Sequence, residues 1–346
     1  MKLLLSYVSL AASLISLGSA SFPGSGFTKG VNWPWGGGGA YGHWLSTELQ
    51  QGYGPSYVSS DTTNAMSGAQ QIGAKWMRIW LFESGQGLTV DGNRHVTGVR
   101  SDFWTNLDNV VSQANSHGIK LYPTLFTTAP GTGDMTKVAN WFTDSTAQSM
   151  LLNNVILPFA RRYSGNGAIA AIQLYNEMNG FTNSYFNNVQ VTNAQAKTWI
   201  SATVKAIKGV NGNYKVSNSQ ILINDQYHPA SSSNKDYVGT GLDFYDIHSY
   251  SDNGSELPKA STFGLDQPVL LGEFGELTGE GDAHQSQVVS NFMNAARNGG
   301  WAGALYWTLG NIGNTNGMNC PDSKLVQSLY NCEGKARQAW TTFKNF

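Results

Sequence analysis

Two glutamates end or interrupt short apolar stretches that have the composition of buried strands. Glu177 comes directly after Asn176 at the end of IAAIQLYN (169–176), and Glu273 lies within PVLLGEFG (268–275). Burying a carboxylate is costly unless hydrogen bonds or opposite charges compensate, so each position needs a reason. Hydrolysis of a glycosidic bond uses two carboxyl groups: one protonates the leaving oxygen, and the other attacks the anomeric carbon or activates water.

Other polar residues also end apolar runs, namely Arg78, His248 and Tyr250. A guanidinium close to a carboxylate favours the charged form, so Arg78 is a candidate for keeping one glutamate ionised. Tyr250 is a candidate donor to the same carboxylate. Asn176 is a candidate ligand for the sugar 2-hydroxyl, where contacts strengthen in the transition state. Together with His248, these residues form the predicted substrate-binding set.

Aromatic residues are abundant, with 11 Trp and 15 Tyr. Trp307 ends another apolar run and offers a flat face for a pyranose ring. Four more rings are candidates either to extend that surface or to fill the barrel: Trp33, Trp35, Trp44 and Trp80. Of these, Trp33 is included in the predicted substrate-binding set. Lesser candidates for the cleft or its loops are Glu83, Glu276, Glu280, His43 and His228. The sequence contains no evident metal-ligating cluster, and no cofactor is expected.

The elements that must position these residues alternate between two periodicities. Helical patterns separate most of eight β-rich runs, and this alternation predicts an α/β fold, a single-domain (β/α)₈ TIM barrel. Active residues of such barrels lie at the C-terminal ends of the strands, where these candidates fall. The runs are 26–33, 74–82, 119–126, 169–176, 220–225, 242–250, 268–275 and 302–310. A doubly wound open sheet is the alternative, but no glycine-rich phosphate loop follows the first run.

The helical patterns have recognisable boundaries. Ser101 is the expected N-cap of the second helix, and Gly118 is its expected C-terminal stop. Pro158 interrupts the third pattern, so that helix is expected to kink or to begin late. The predicted helices are 59–74, 101–118, 150–165, 193–210, 285–300 and 333–346.

Charge and composition exclude several classes of partner. The formal net charge is −1, and only 12% of residues are charged, without a basic patch or an acidic tail. Nucleic acids and anionic membranes are therefore not expected as partners. The expected partner is a polysaccharide or oligosaccharide substrate, and the expected state is a monomer.

The N-terminal residues predict export. Residues 1–20 combine a lysine, an apolar run and a small-residue end, which is typical of a secretory signal peptide. The remaining 21–346 then form the secreted, extracellular barrel domain. In an oxidising compartment Cys320 and Cys332 are expected to form a disulfide. Asn253, in Asn-Gly-Ser, is a candidate glycosylation site.

These motifs together resemble clan A glycoside hydrolases, most nearly glycoside hydrolase family 5, which includes many cellulases and β-mannanases. The matching motifs are Asn176-Glu177, His248-x-Tyr250 and Glu273 in LLGEFG. Arg78 and Trp307 match an arginine and a tryptophan of the family pattern. The resemblance covers about residue 26 to 346. It implies that Glu177 is the acid/base, that Glu273 is the nucleophile, and that the anomeric configuration is retained.

Two departures from the family pattern concern the subfamily and the substrate. Met178 stands where the family usually has proline, and LYPTLFTT offers Thr127 and Thr128 where many family cellulases have histidine. The leading hypothesis is a secreted retaining endo-β-glycanase acting on β-mannan or β-glucan. The alternatives are a barrel that binds glycan without cleaving it and a transglycosylase that uses the same site.

Overall fold

The computed structural model describes residues 26–36, 44–49, 57–127, 130–131, 135–182, 191–221, 233–250, 252–310, 327–331 and 334–346. All but two of the described strands belong to one parallel sheet, and β3 and β4 form a separate antiparallel hairpin. The strands are β1 Thr28–Asn32, β2 Trp76–Trp80, β3 Leu88–Val90, β4 Val96–Val99, β5 Lys120–Phe126, β6 Ile172–Tyr175, β7 Val216–Ser217, β8 Ser219–Ile221, β9 Tyr245–His248, β10 Val269–Phe274 and β11 Gly303–Tyr306.

The nine-stranded sheet has the order β7-β6-β5-β2-β1-β11-β10-β9-β8. Its two ends are consecutive pieces of one strand, because only Asn218 separates β7 from β8. β7 pairs with β6, and β8 pairs with β9. The nine strands therefore fill eight positions around a closed barrel. The predicted single-domain (β/α)₈ barrel is confirmed.

Helices cover the outer face of the barrel, as expected for a parallel sheet that is buried on both faces. They are α1 Ser59–Gln71, α2 Ser101–His117, α3 Ser145–Leu151, α4 Leu157–Arg162, α5 Met178–Thr182, α6 Asn193–Val210, α7 Asp282–Asn298 and α8 Gln338–Asn345. None of the described helices is long and apolar enough to cross a bilayer.

The boundaries of α2 agree with the sequence-based prediction at one end only. Gly118 ends the helix in the left-handed conformation, with φ 65°, as predicted. The prediction that Ser101 is the N-cap is wrong. Arg100 takes that position with extended backbone angles, because its N–H is bonded to the carbonyl of Gly87, and Ser101 is already helical.

Pro158 produces the interruption that the third helical pattern predicted. The segment divides into α3, a π-helical turn at Leu152–Ile156, and α4, which carries Pro158 in its first turn. Proline lacks an N–H and its ring clashes with the carbonyl four residues earlier, so an ordinary α-helix cannot continue through it. The wider π turn absorbs this defect without ending the helix.

Three elements differ from the sequence prediction. The hairpin β3–β4 and the five-residue helix α5 were not predicted, since both are too short to show a clear period. The fifth strand was predicted at 220–225. It begins earlier, as β7 and β8, because pairing with β6 and β9 selects its bounds, and 222–232 lie outside the described residues.

Side chains fill the barrel in layers. At the N-terminal end of the strands, a cluster separate from the main core closes the interior, and it consists of Trp76, Tyr122, Ala171, Phe244, Leu270 and Leu305. Above it, the inward-facing positions become polar, beginning with Arg78, Gln173 and Asp246, all of them completely buried. The apolar plug therefore supports a polar layer, on which the candidate site rests.

A β-bulge in β10 decides which way Glu273 points. Leu271 pairs with Ile247, but the next pair joins Glu273 to His248, so β10 has one residue more than β9 over this interval. Leu270 faces the interior, and strict alternation would turn Glu273 outward. The bulge instead turns Glu273 into the barrel, and Phe274 packs outside it.

Close strand packing makes Gly30 a site of predicted sensitivity. A Cβ at Gly30 would lie 2.8 Å from the carbonyl oxygen of Trp76 and 2.9 Å from Leu305 Cγ. We expect Gly30→Ala to lower the free energy of unfolding by about 1–3 kcal/mol through overpacking. Urea denaturation followed by circular dichroism measures the change.

The matched control for this prediction is Gly92→Ala in the turn of the β3–β4 hairpin. A Cβ at Gly92 meets nothing within 4 Å, so its effect should stay within about 0.5 kcal/mol. Equal unfolding midpoints for the two variants would contradict the packing argument.

Candidate active site

Arg78 is the buried centre of the site. It lies on β2, is completely buried, and points into the barrel above the apolar plug. Its Nη1 donates to Glu273 Oε1 at 2.5 Å and to Asn32 Oδ1 at 2.9 Å. Its Nη2 donates to Asn176 Oδ1 and to Gln173 Oε1, each at 2.6 Å. The guanidinium therefore joins β2 to side chains from three other strands or their ends, β1, β6 and β10.

Glu273 is held by two donors and is buried. Besides Arg78, the hydroxyl of Tyr250 donates to its second carboxylate oxygen at 2.7 Å. Burial raises the pKa of Glu273, while the positive charges of His248 and Arg78 act to lower it. Burial and the negative charge of Glu273 raise the pKa of Tyr250 well above its ordinary value, so this hydroxyl stays a donor.

Glu177 lies just beyond β6 in a different environment. Its backbone has φ 49°, an unusual angle for a non-glycine residue, and its N–H donates to Ser219 Oγ at 2.8 Å. Its side chain is 18% exposed, against 6% for Glu273. Glu177 is therefore the carboxylate nearer the opening, and Glu273 is the one held in the interior.

His248 connects the two glutamates. Its Nδ1 lies 2.9 Å from Glu177 Oε1 and 3.4 Å from Glu273 Oε1, and Asp246 lies beneath it. Burial alone would lower the pKa of His248. The charge of Glu273 and hydrogen bonds with Asp246 and Glu177 outweigh burial and raise the pKa to about 9. The imidazole is therefore positively charged at neutral pH.

One oxygen from each glutamate and one nitrogen of His248 all lie within 4.8 Å of one another. This is the pair of carboxylates that the sequence predicted from strands far apart in the chain. The spacing alone would also suit a metal ion. The guanidinium of Arg78, which contacts Glu273, opposes a second cation at this position.

Tryptophans form one wall beside the carboxylates. The partly buried Trp307 packs against Trp80 at a centroid distance of 5.3 Å and against Trp35 at 6.0 Å. The indole of Trp35 donates to Glu83 at 2.5 Å, so the buried Glu83 supports this wall. Trp307 is more exposed than Trp35 and Trp80, which are both buried.

Trp33 occupies a different environment from the one its predicted role requires. It is only 2% exposed and packs edge-on against Trp44 at 5.3 Å. Of the two roles considered for these rings, this position favours core packing.

Three residues of the polar layer were missed as site residues: Asn32, Gln173 and Asp246. Gln173 accepts from Arg78 and donates to Asp246, so it links the two at 2.6 Å on each side. A sequence signal did exist for Asp246, because it precedes His248 by two positions and therefore shares its strand face. Asn32 and Gln173 carry no comparable signal within otherwise apolar strands.

Several predicted positions lie at or beyond the limits of the described structure. Asn253 is exposed in a short turn after β9. The signal peptide at 1–20, Cys320 and Cys332, and the cleft candidates His43 and His228 lie outside the described residues, as does Thr128. Their roles stay predictions.

Solved structures of glycoside hydrolases share this fold. A β-mannanase from the blue mussel Mytilus edulis aligns with TM-score 0.65 and 19% identity over 82% of this chain and 87% of that one. A β-1,4-D-mannanase from Cryptopygus antarcticus aligns with TM-score 0.63 and 21% identity over 84% and 86%. GH5_18 from Streptomyces cattleya, in complex with Manb1-4GlcNAc, aligns with TM-score 0.68 and 14% identity over 92% and 79%.

No family model and no curated protein matches the sequence. At the identities given above, the likeness is one of fold. The resemblance to family 5 that the motifs predicted is confirmed at that level.

The raised pKa of His248 predicts a pH-dependent stability. The group titrates near 6.5 when unfolded and at about 9 when folded. Protonated His248 therefore contributes on the order of 3 kcal/mol to the free energy of unfolding below about pH 6.5. This contribution is lost as the pH rises through about 9. Urea denaturation at about pH 6, 8 and 10 measures this loss.

The comparison variant is His248→Gln, which has no titrating group at this position. Its free energy of unfolding should decline less between about pH 6.5 and 9 than that of the wild type. An equal decline in both proteins would show that His248 does not titrate as described.

Proposed function

We propose that the chain is a secreted retaining β-glycosidase, an endo-β-glycanase that cleaves its substrate by double displacement. The observation that carries this proposal is the approach of Glu177 and Glu273 oxygens to within 4.8 Å. Retaining enzymes hold their carboxyl groups about 5–5.5 Å apart, whereas inverting enzymes leave about 6.5–9.5 Å for a water molecule. The close spacing supports a nucleophilic role for one of the two glutamates.

The surroundings of the glutamates support the assignment of roles. Glu273 is anchored by Arg78 and Tyr250, which suits an ionised nucleophile of fixed direction. Its carboxylate oxygen attacks the anomeric carbon as the bond to the leaving oxygen breaks, and Glu177 transfers its proton to that oxygen. Glu177 then takes a proton from water, which attacks the same carbon and releases Glu273.

Asn176 is the proposed ligand for a sugar hydroxyl. Its Oδ1 accepts from Arg78 at 2.6 Å, and this bond orients the amide and leaves Nδ2 as the group for a sugar hydroxyl. A contact with the 2-hydroxyl that strengthens in the transition state would raise kcat rather than only tighten binding. Trp307 would stack against the sugar ring next to the cleaved bond.

We favour β-mannan as the polysaccharide, with β-glucan as the alternative. The mussel and Cryptopygus proteins that share the fold are both named β-mannanases. The resemblance of the sequence to family 5 supports a β-glycan, and the departures from the family pattern at Met178 and Thr127 concern the choice of sugar.

Two alternative functions are compatible with the same barrel. A glycan-binding protein without activity would have no chemical need for paired carboxylates held by Arg78 and Tyr250, so the site geometry argues against it. A transglycosylase would form the same covalent intermediate and pass it to a sugar instead of water. Product analysis separates hydrolysis from transfer.

Secretion completes the proposal and rests on the sequence. Residues 1–20 have the composition of a signal peptide. Export would also allow a Cys320–Cys332 disulfide and a glycan on Asn253, which is exposed.

Removing either carboxylate tests the function. We expect Glu177→Gln and Glu273→Gln each to reduce hydrolysis of purified β-mannan or β-glucan by about 100-fold or more. Reducing-sugar release at matched protein concentration measures the loss. Glu256→Gln, at an exposed loop position, is the matched control and should retain full activity. Unchanged rates in either site variant would refute the assignment.

The role of each glutamate has its own test. Glu273→Gly with added azide should form a glycosyl azide of inverted configuration, because azide takes the nucleophile's place on the anomeric carbon. Proton NMR of the product identifies the configuration. Azide rescue of Glu177→Gly with retained configuration would be expected for an acid/base, and inversion there would exchange the two roles.

The distribution of product lengths decides the mode of action. An endo-acting enzyme should release oligosaccharides of several lengths from a polymer early in the reaction, and chromatography of the products measures this. Release of a single sugar or disaccharide from the start would indicate exo action, and products longer than the substrate would indicate transglycosylation.

A further inference from the structure

Asp246 is a buried carboxylate that the mechanism above does not use. It lies on β9 two residues before His248, faces the barrel interior, and is completely buried. Its Oδ2 accepts from the hydroxyl of Tyr122 at 2.8 Å and from the amide of Gln173 at 2.6 Å. The Tyr122 hydroxyl is also hydrogen-bonded to Ser217. One oxygen of Asp246 is thus fully engaged by the layer beneath the site.

The other oxygen of Asp246 faces His248. Oδ1 lies 3.5 Å from His248 Nε2. Within the described part of the chain, neither of these two buried atoms has another hydrogen-bond partner. A buried polar atom without a partner is costly. Each of the two atoms is therefore the natural counterpart of the other.

The backbone of β10 provides the space for this carboxylate. A Cβ at Gly272 would lie 1.8 Å from Asp246 Oδ1, so only glycine fits beside it. Gly272 is also the residue at the bulge that turns Glu273 inward. The same local irregularity thus admits Asp246 under His248 and aims Glu273 at the cleft.

We propose that Asp246 is a positioning residue that holds a proton on His248 Nε2, so that Nδ1 and Glu177 share a second proton. The inference rests on the proposed role of Glu177 as acid/base. With Nε2 protonated, Nδ1 either accepts from the carboxylic acid of Glu177 or donates to its carboxylate. In both cases one proton lies along the 2.9 Å contact between them. This is the proton that Glu177 delivers to the leaving oxygen.

The opposite tautomer is disfavoured by the same geometry. A proton on Nδ1 alone would leave the lone pair of Nε2 facing the carboxylate of Asp246 in a buried space. Two acceptors facing each other repel, and the low polarity of the interior strengthens the repulsion. Asp246 therefore selects the tautomer, as the outer carboxylate does in other carboxylate–histidine pairs.

The charges around His248 are consistent with this arrangement. Its direct neighbours are the carboxylates of Glu177, Glu273 and Asp246. Arg78 and Tyr250 act through Glu273, and Tyr122 acts through Asp246. Three carboxylates against one guanidinium and one imidazolium leave a single negative charge. In this count the imidazolium carries the shared proton, and the remaining negative charge favours its retention between Nδ1 and Glu177.

Asp246→Asn tests the proposal because it removes the charge and keeps the shape. We expect the alkaline limb of the kcat/KM profile to move about one unit to lower pH, because a negative charge that retains the shared proton is lost. Asp243→Asn is the control. Asp243 precedes β9 and bonds to Lys208 and Lys215 away from the site, so its variant should keep the wild-type limb. The proposal would be overturned if the alkaline limb of the kcat/KM profile did not move in Asp246→Asn, or if it moved equally in both variants.

A second measurement needs neither activity nor a variant that folds well. Nitrogen-15 NMR of the labelled wild-type protein, with His248 assigned through its backbone, reports the protonation of each ring nitrogen. We expect Nε2 to remain protonated at every pH at which the protein is folded. A wild-type Nε2 without a proton at about pH 7 would overturn the proposal.

The two experiments separate this inference from the proposed function. If no glycan is hydrolysed but Nε2 carries its proton, the proposed function fails and the pairing of Asp246 with His248 stands. If glycans are hydrolysed but Nε2 lacks its proton, only the inference about Asp246 fails.

Discussion

A buried guanidinium is the constraint on which the rest of the site depends. Arg78 is completely buried, and its five N–H groups make five hydrogen bonds to four acceptors: Asn32, Gln173, Asn176 and Glu273. A buried charge that lost these partners would cost several kcal/mol. The acceptors come from β1, β6 and β10 or their ends, so satisfying Arg78 also sets the relative position of those strands at the cleft.

Beneath and beside Arg78, the polar residues form one connected layer. Gln173 accepts from Arg78 and donates to Asp246, Asp246 lies under His248, and His248 contacts both glutamates. An apolar plug closes the barrel below this layer, and the residues of the layer are themselves buried. In such surroundings charge–charge interactions are stronger than in water, which is why the proton positions in the cleft depend on residues that never meet substrate.

Much of the fold was predictable because it follows local periodicity. Most of the barrel strands and the long helices lie where the apolar patterns place them, and Gly118 ends α2 as expected. The hairpin β3–β4 and α5 are too short to produce a recognisable period. The bounds of the fifth strand depend on pairing with strands distant in sequence, and a single sequence does not express that pairing.

For this protein the sequence by itself determined the barrel and the identity of the residues that meet at its mouth, since strand ends of parallel barrels converge whatever their loops. Tertiary structure alone decided their orientation. The bulge at Gly272 turns Glu273 inward against strict alternation, and Trp33 is packed in the core against Trp44. It also placed Asp246 and Gln173 within the polar layer. Register, bulges and contacts across the barrel set these outcomes, and they arise only when distant segments pack together.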